Sequence, residues 1–283
     1  MDVRLIAIDI DGTLLDSRGR IPEENIAAVA AALDAGVHVV LVTGRSFPFA
    51  RAVAGALPDA VTLIVSNGAI ERTMDGRTVV RRLLARETAR RVLSHTQPFR
   101  HASAVLFDRE VGGHVVAESM DWDHPHRRGY WERHQHFIGH ASPLDASLTE
   151  DPIQVMFNGD VQTMREVFAS IEGLEGLSVC RTEYERRDFS LVDVTAPTAT
   201  KGQALAWRAA GLGLEPSQVM AIGDNLNDLE MLASAGVPVI MGNAVDALRH
   251  RGWHETATHD EAGVAQAIWR LALNGAGGRS AGC

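Results

Sequence analysis

The sequence has little cysteine and no long apolar run. Its 283 residues include only two cysteines, Cys180 and Cys283, which excludes a disulfide framework and a cysteine-rich metal site. No apolar run approaches the roughly 18 residues of a membrane-spanning helix. The N-terminus continues directly into a strand pattern, without the basic region and cleavable apolar segment of a secretory signal. We therefore expect a cytoplasmic protein with no membrane partner.

Positive charge is also scarce. Lysine and arginine number 27 against 36 aspartates and glutamates, a formal net charge of −9. Nucleic acid is therefore not an expected partner, because binding to its phosphate backbone relies on a basic surface. A small phosphorylated ligand needs only a local positive site and stays possible. The 46% of apolar residues is ordinary for a globular protein, and the length predicts one large or two moderate domains.

The stretch from Leu5 to Leu15 carries the strongest local signal. Its apolar, partly β-branched residues predict a buried strand that ends in Asp9, Asp11 and Gly12. A buried carboxylate is costly unless it is paired, and a cation is the natural partner. The alternative is a simple turn that begins Asp-Gly and carries one acidic cap. Matching groups from distant parts of the chain would decide between the two interpretations.

A helix and two further strands are predicted next. Residues 22–35 have a helical pattern, with Pro22 suited to the first turn and Gly36 as a stop. Short β-branched runs at 37–42 and 61–65 predict buried strands. This alternation predicts a parallel sheet with helices on both faces. The loops after these strands bring polar groups to one edge of the sheet: Thr43, Gly44, Arg45, Ser66 and Asn67.

The middle third of the chain is less regular. We interpret residues 84–188 as a separate α+β insertion between two parts of one core, 1–83 and 189–283. Within it, residues 121–140 are rich in histidine, tryptophan and arginine and show little periodicity.

From residue 189 the regular alternation returns. A strand is predicted at 189–194, a helix opens at Lys201, and another strand spans 219–222. The last of these ends in Gly-Asp-Asn-Leu-Asn-Asp, residues 223–228. This segment adds Asp224, Asn227 and Asp228 to the same predicted edge of the sheet.

The groups gathered at this edge suit phosphoryl transfer. Mg²⁺ is held by a few carboxylates together with water and substrate phosphate, and the candidate carboxylates are Asp9, Asp11, Asp224 and Asp228. Lys201 and Thr43 would hold the remaining phosphate oxygens. The reaction needs mainly in-line positioning and charge neutralisation, and an aspartate can be its nucleophile. Spacing alone does not say which aspartate.

Four segments in this order resemble the motifs of a known superfamily: Asp9-Ile10-Asp11-Gly12-Thr13, Thr43-Gly44-Arg45, Lys201-Gly202 and Gly223-Asp224-Asn225-Leu226-Asn227-Asp228. They are similar to the four motifs of the haloacid dehalogenase (HAD) superfamily, and the long insertion resembles the type IIB cap of its Cof-like branch. The resemblance implies an α/β fold: a HAD-like, doubly wound parallel sheet (a Rossmann-like core) with an inserted α+β cap domain.

The resemblance also implies a role for each motif residue. Asp9 would be the nucleophile and a metal ligand. Asp11 would be the general acid and then the base, and its main-chain carbonyl would bind Mg²⁺. Asp224 would complete the metal site, and Asp228 would bind the metal through water or support its ligands. The transferring phosphoryl group and the substrate would be contacted by Thr43, Gly44, Arg45, Asn67, Lys201 and Asn227.

Several of these residues have structural alternatives. Asp228 could simply cap its helix, and Arg45 could form a salt bridge on the core surface. Asn67 could be a turn residue in the left-handed conformation, and Lys201 a solvated lysine at a helix start. We interpret Asn243 as an amide that orders its loop.

The histidines of the insertion could form a metal cluster, but they show no strict helical spacing, and a cap loop is the favoured interpretation. They are His124, His126, His134, His136 and His140. We interpret their segment as a cap loop that contacts substrate, with stacking and charge from Trp122, Tyr130, Trp131 and Arg133.

The sequence thus predicts a Mg²⁺-dependent phosphatase, monomeric or homodimeric. It would hydrolyse small phosphorylated metabolites, sugar phosphates above all, through an aspartyl-phosphate intermediate, with the cap selecting the substrate. One alternative is a phosphotransferase or phosphomutase of the same superfamily. Another is a non-catalytic metabolite-binding regulator, against which the intact set Asp9, Asp11, Lys201 and Asp224 argues.

Overall fold

The computed structural model describes residues 2–109 and 112–273. The chain forms two compact units, Met1–Arg81 with Thr200–Cys283, and Arg82–Ala199. We call them the core unit and the inserted unit. Cys180 lies in a strand of the inserted unit, and Cys283 lies outside the described residues. No described helix combines the length and the apolar character that crossing a membrane requires.

The core unit is built on an eight-stranded sheet. Its strands are β1 (Leu5–Ile8), β2 (His38–Val42), β3 (Thr62–Val65), β4 (Ile70–Thr73), β5 (Thr78–Arg81), β12 (Val219–Gly223), β13 (Val237–Ile240) and β14 (His254–Glu255), in the order β14-β13-β12-β1-β2-β3-β4-β5. The strands from β14 to β3 pair in parallel. Strands β4 and β5 form the antiparallel hairpin at the far edge.

Helices cover this sheet. They are α1 (Glu23–Asp34), α2 (Phe47–Ala54), α6 (Lys201–Gly211), α7 (Leu229–Ser234) and α8 (Gly263–Ala267). All four residues of β1 are buried, as in a parallel strand covered on both faces. Leu5 and Ala7 belong to a cluster with Leu205 of α6 and Leu232 of α7, while α1 contacts β2 and α8. The predicted doubly wound α/β sheet is confirmed.

The strand order reverses between β1 and β12. From β1 the chain moves outward through β2 and β3, whereas β12 pairs on the other side of β1 and is followed outward by β13 and β14. At such a reversal the connections diverge and leave a crevice beyond the carboxyl ends of the strands, where ligands bind in open α/β sheets. Asp9 follows β1 and Asp224 follows β12, so both lie at this reversal.

The inserted unit is an α+β structure. Its strands are β6 (Ser103–Leu106), β7 (Val115–Ala117), β8 (Ile138–His140), β9 (Gln154–Gly159), β10 (Ser178–Tyr184) and β11 (Phe189–Thr195), in the order β10-β11-β9-β6-β7-β8. Its helices are α3 (Arg86–His95), α4 (Pro125–His134) and α5 (Val161–Ile171). Val92 of α3 and Val167 of α5 pack with Val155, Phe157 and Val192 of the sheet.

The second boundary of the insertion lies later than the sequence predicts. We expected the core to resume at residue 189, but β11 pairs with both β9 and β10 in the inserted sheet. The boundary therefore falls between Ala199 and Thr200, and the first falls between Arg81 and Arg82.

One helix also departs from expectation, because α4 forms within the segment in which we found little periodicity. Its first turn begins at Pro125 after the cap residue His124.

Candidate active site

The carboxyl ends of four core strands bring the predicted residues together. Asp9 follows β1, Thr43 follows β2, Asn67 follows β3, and Asp224 follows β12. All four are at least 94% buried. Because the parallel strands end at the same edge of the sheet, four segments far apart in sequence supply one polar cluster.

The loop Asp9–Ser17, which we call the β1 loop, turns sharply after Asp9. Leu14 N donates to Asp9 O at 3.2 Å, and Leu15 N donates to Ile10 O at 3.0 Å. Gly12 has a φ of +81°, and a Cβ at this position would lie 2.4 Å from Asp224 Oδ2. Only glycine fits here, because the turn needs the left-handed conformation and the backbone lies directly against the Asp224 carboxylate.

Lys201 lies at the start of α6 between two carboxylates. Its Nζ donates to Asp9 Oδ1 at 2.6 Å and to Asp228 Oδ1 at 2.6 Å, and the residue is only 2% exposed. Burial alone would lower the pKa of Lys201, but Asp228 and Asp9 hold it above its ordinary value. The alternative of a solvated helix-start lysine is therefore wrong. Lys201 is also the only lysine in the sequence.

Three buried carboxylates surround this ammonium. In the described part of the chain, Asp9, Asp224 and Asp228 form the one group of side chains that could hold a metal ion, with oxygens within 4.8 Å of one another. Asp224 Oδ1 accepts a hydrogen bond from Thr13 Oγ1 at 2.9 Å. Asp228 Oδ2 accepts from the backbone N–H groups of Asp224 and Asn225, at 3.0 and 3.1 Å. Asp228 therefore caps its turn and faces the cluster at the same time.

The charge of this cluster is not balanced by its own residues. Burial raises the pKa of Asp9 to about 7, with further upward contributions from Asp228 and Asp11, while Lys201 lowers it. Burial, Asp9 and Asp228 likewise raise the pKa of Asp224. Three carboxylates against one ammonium leave an excess of negative charge in a buried place. A hard divalent cation fits this donor set, since it prefers oxygen ligands and would offset that excess.

Asp11 points to a different partner. Its carboxylate accepts two hydrogen bonds from Arg45, from Nε at 2.7 Å and from Nη2 at 2.6 Å. The Asp11 side chain is 39% exposed and that of Arg45 is 32% exposed. The salt-bridge alternative for Arg45 is therefore observed, and its partner is the predicted acid and base. The Asp11 carboxylate does not belong to the group formed by the other three aspartates.

The remaining predicted contacts line the ends of β2 and β3. Thr43 Oγ1 accepts from Arg45 N at 3.1 Å, and Asn67 N donates to Thr43 O at 3.0 Å. Asn67 has a φ of +52°, so the prediction of a turn residue in the left-handed conformation is confirmed. A Cβ on Gly44 would lie 3.2 Å from Asn67 Oδ1, so these two loops pack closely. Substrate contact by Asn67 stays a prediction.

Sequence reasoning found no signal for the role of Thr13 and did not single out Ser46. Thr13 was part of the first motif but had no assigned role, and the structure shows it holding Asp224. Ser46 is buried just after β2, and that place is the only sequence signal that could have marked it. Ser66 and Asn227 were expected at this edge of the sheet. Within the described residues, the hydroxyls of Ser46 and Ser66 and the Oδ1 of Asn227 find no hydrogen-bond partner.

The histidines of the insertion form no metal group in the described ranges 2–109 and 112–273. Several aromatic rings of the segment instead lie tilted against one another. His124 lies 5.2 Å from His126, His126 lies 5.2 Å from Phe189, and Trp122 lies 5.4 Å from Trp131, as ring centroids. Contact of this segment with substrate stays a prediction.

Comparison with known proteins identifies the family. A model of the haloacid dehalogenase-like hydrolases matches residues 6–268. The chain belongs to the haloacid dehalogenase-like hydrolase family. The resemblance inferred from the four motifs is thereby confirmed, and members of this superfamily use a divalent metal, in keeping with the acidic group found here.

Several of the similar proteins are named phosphatases. A 5-amino-6-(5-phospho-D-ribitylamino)uracil phosphatase of Bacillus subtilis, YcsE, is 30% identical over 271 residues, covering 95% of each chain. A phosphoglycolate phosphatase of Methanothermobacter thermautotrophicus is 26% identical, covering 95% of this chain and 99% of its own. The prediction of a phosphatase enzyme is confirmed by this family membership.

Solved structures agree with the fold. A haloacid dehalogenase-like hydrolase from B. subtilis superposes with a TM-score of 0.80 at 25% identity, covering 95% of this chain and all of that one. The HAD subclass IIB sugar phosphatase BT4131 superposes with a TM-score of 0.74 at 21% identity, covering 94% of this chain and 98% of its own. The HAD fold with an inserted cap domain is therefore confirmed.

Proposed function

We propose that the protein is a Mg²⁺-dependent phosphatase that hydrolyses small phosphorylated metabolites, sugar phosphates above all, through an aspartyl-phosphate on Asp9. The observation that carries this proposal is the buried group Asp9, Asp224 and Asp228 with Lys201 at the reversal of strand order. An excess of buried carboxylates next to one ammonium suits the binding of a metal and a phosphate together.

Each residue has a task in the first half-reaction. Lys201 holds Asp9 Oδ1, which leaves Oδ2 to attack phosphorus. The new bond joins Oδ2 to phosphorus, and the bond from phosphorus to the leaving oxygen breaks. Asp11 donates a proton to that oxygen, so the product leaves as an alcohol. Thr43 and Lys201 hold the phosphoryl oxygens during the transfer.

The second half-reaction returns Asp9 to its starting state. Asp11, now a carboxylate, takes a proton from water, whose oxygen attacks phosphorus. The bond from phosphorus to Asp9 Oδ2 breaks and inorganic phosphate leaves. The metal would be held by Asp9, Asp224, Asp228 and the main-chain carbonyl of Asp11, and when bound it neutralises charge on the phosphoryl group.

The ion pair of Asp11 with Arg45 adds a condition to this scheme. Asp11 must leave the guanidinium and take up a proton from water before it can protonate the leaving group. Both side chains are about a third exposed, so the pair can exchange partners without leaving a buried charge unpaired. Arg45 would then contact a substrate anion.

The substrate class rests on two lines of support. The relatives named above act on a ribitylamino-uracil phosphate and on phosphoglycolate, which are both small phosphorylated metabolites. The inserted unit lies between the second and third motifs of the core, which is the position of a type IIB cap. We infer that this unit selects the substrate. The chain connections at 81–82 and 199–200 are the expected hinges for its motion.

The proposal is tested by phosphate release from a panel of phosphomonoesters. We expect release that needs Mg²⁺, stops with a chelator, and is lost in Asp9→Asn. An Asp246→Asn variant, changed at an exposed surface aspartate outside the cluster, serves as control and should keep full activity. If no phosphomonoester is hydrolysed with Mg²⁺ present, or if Asp9→Asn retains activity, the proposal is wrong.

A further inference from the structure

The β1 loop is attached to a distant part of the chain by three side chains. We call residues Thr258–Ala265 the C-terminal segment. The attachment points on the β1 loop are Gly12, Leu14 and Ser17, so they follow one another along the loop. None of the three side chains that make the attachments belongs to the four sequence motifs.

Two of the attachments have the same design. Asn243 Nδ2 donates to Gly12 O at 2.8 Å, while its Oδ1 accepts from His259 N at 2.9 Å. Asn25 Nδ2 donates to Leu14 O at 3.2 Å, while its Oδ1 accepts from Ala265 N at 2.9 Å. Each amide thus links a carbonyl of the β1 loop to an N–H of the C-terminal segment. An asparagine amide offers a donor and an acceptor on two separate atoms, which allows it to link two segments in this way.

The third attachment uses a carboxylate. Asp260 Oδ1 accepts from Ser17 N at 2.7 Å. This hydrogen bond lowers the pKa of Asp260, so the carboxylate stays ionised at neutral pH. The C-terminal segment is itself fixed by Glu261, whose Oε2 accepts from Thr258 N at 3.1 Å and from Thr258 Oγ1 at 2.7 Å.

The opposite side of the β1 loop faces the acidic cluster. Gly12 leaves no room for a Cβ next to Asp224, and Thr13 donates to the same carboxylate. The β1 loop is therefore fixed between Asp224 on one side and the C-terminal segment on the other. A shift of the loop would change the position of Asp9, and a misplacement of about 1 Å can cost a hundredfold in rate.

We propose that Asn243 and Asn25 are positioning residues for catalysis. They hold the β1 loop in its place beside Asp224 by linking it to the C-terminal segment. The inference rests on the proposed phosphatase function, because it concerns the placement of Asp9 and Asp11. Neither asparagine touches the reacting groups, and both act through the backbone of the β1 loop.

The test uses Asn243→Asp and Asn25→Asp. Aspartate keeps the acceptor for His259 N or Ala265 N but loses the donor to the loop carbonyl. We expect kcat to fall at least about tenfold with KM changed less than about twofold, and amide hydrogen exchange of the β1 loop to become at least about tenfold faster. The matched control is Gln162→Glu, which also exchanges a side-chain amide donor for a carboxylate, at an exposed bond to Glu166 in the inserted unit. It should match wild type in both measurements.

The two readouts separate this inference from the proposed function. A wild-type protein that releases no phosphate contradicts the phosphatase proposal. Unchanged exchange of the β1 loop in both aspartate variants, or faster exchange with wild-type kcat, overturns the positioning role. Should both variants fail to fold, the exposed Asp260→Ala variant decides. Unaltered loop exchange and kcat in that variant would then overturn the inference.

Discussion

Replacement of Lys201, the only lysine, should destabilise the protein, because the buried carboxylates then lose their positively charged partner. In Lys201→Met the side chain keeps its apolar length but loses the ammonium that contacts Asp9 and Asp228 at 2.6 Å each. The two carboxylate side chains are 6% and 0% exposed, so water cannot replace the lost partner. Breaking a buried ion pair by removing one partner costs about 3–5 kcal/mol.

This loss is large enough to measure by thermal unfolding. At roughly 2–4 °C per kcal/mol for a chain of this size, Tm should fall by about 6–20 °C at pH 8 without metal. The fall should be smaller at pH 5, because Asp9, whose pKa burial raises to about 7, then takes up a proton instead of staying as an unpaired anion. Mg²⁺ at pH 8 should restore part of the loss, since a cation again offsets the carboxylates.

A surface ion pair provides the control for this variant. Arg20→Met removes the exposed pair of Arg20 with Asp16, which lies 3.8 Å apart, and should change the stability by less than about 1 kcal/mol. If Lys201→Met is as stable as this control at pH 8, or loses more stability at pH 5 than at pH 8, then Lys201 does not balance the cluster.

Three further predictions concern the same cluster. Thr13→Val removes the hydroxyl that donates to Asp224 Oδ1, and should weaken Mg²⁺ binding roughly tenfold or more by titration calorimetry; unchanged affinity would mean that Thr13 does not orient Asp224. Gly12→Ala should abolish phosphate release, because its Cβ would lie 2.4 Å from Asp224 Oδ2. Gly19→Ala, with a φ of +74° and open space around it, should lose only about 1–2 kcal/mol of stability and keep its activity; equal activity of the two variants would contradict the steric argument. Since folding raises the pKa of Asp9 from 3.8 to about 7, the folded protein binds more protons than the unfolded chain between these values. The contribution of Asp9 to the free energy of unfolding is therefore largest below about pH 4, and it falls as the pH rises to 7. Over the same pH window the affinity for Mg²⁺ should rise. A metal affinity that is flat from pH 5 to 8 would show that Asp9 is not a ligand.

The core of the fold could be predicted because its signals are local. Short β-branched runs mark β2 and β3, and the polar residues that follow β1 and β12 show where each strand ends. Since parallel strands share one edge, the convergence of Asp9 and Asp224 follows from the strand pattern alone.

The boundary of the insertion could not be predicted in this way. The residues of β11 have the same apolar pattern as a core strand, and nothing local shows which sheet they join. Helix α4 was missed for a related reason, because it lacks an apolar face. Arg127 of α4 donates to both the side-chain and main-chain oxygens of Asn158 at 2.5 Å, a contact between residues 31 positions apart.

The support of the β1 loop was equally invisible in the sequence. The loop attachments of Asn243 and Asp260 join residues more than 230 positions apart. An isolated asparagine in a loop indicates only a turn or a local amide contact. The prediction that Asn243 orders its own loop did not extend to its links with Gly12 and His259, which required the structure.

The most direct test of the central claim is to trap the phosphorylated aspartate. In Asp11→Asn the first transfer to Asp9 can occur with a good leaving group, but the base for the attacking water is missing. After incubation with Mg²⁺ and an aryl phosphate followed by acid quenching, peptide mass spectrometry should find one phosphate on Asp9, which hydroxylamine removes. Asp9→Asn should carry none. A variant that turns over without any phosphate on Asp9, or phosphate on a different residue, would contradict the account.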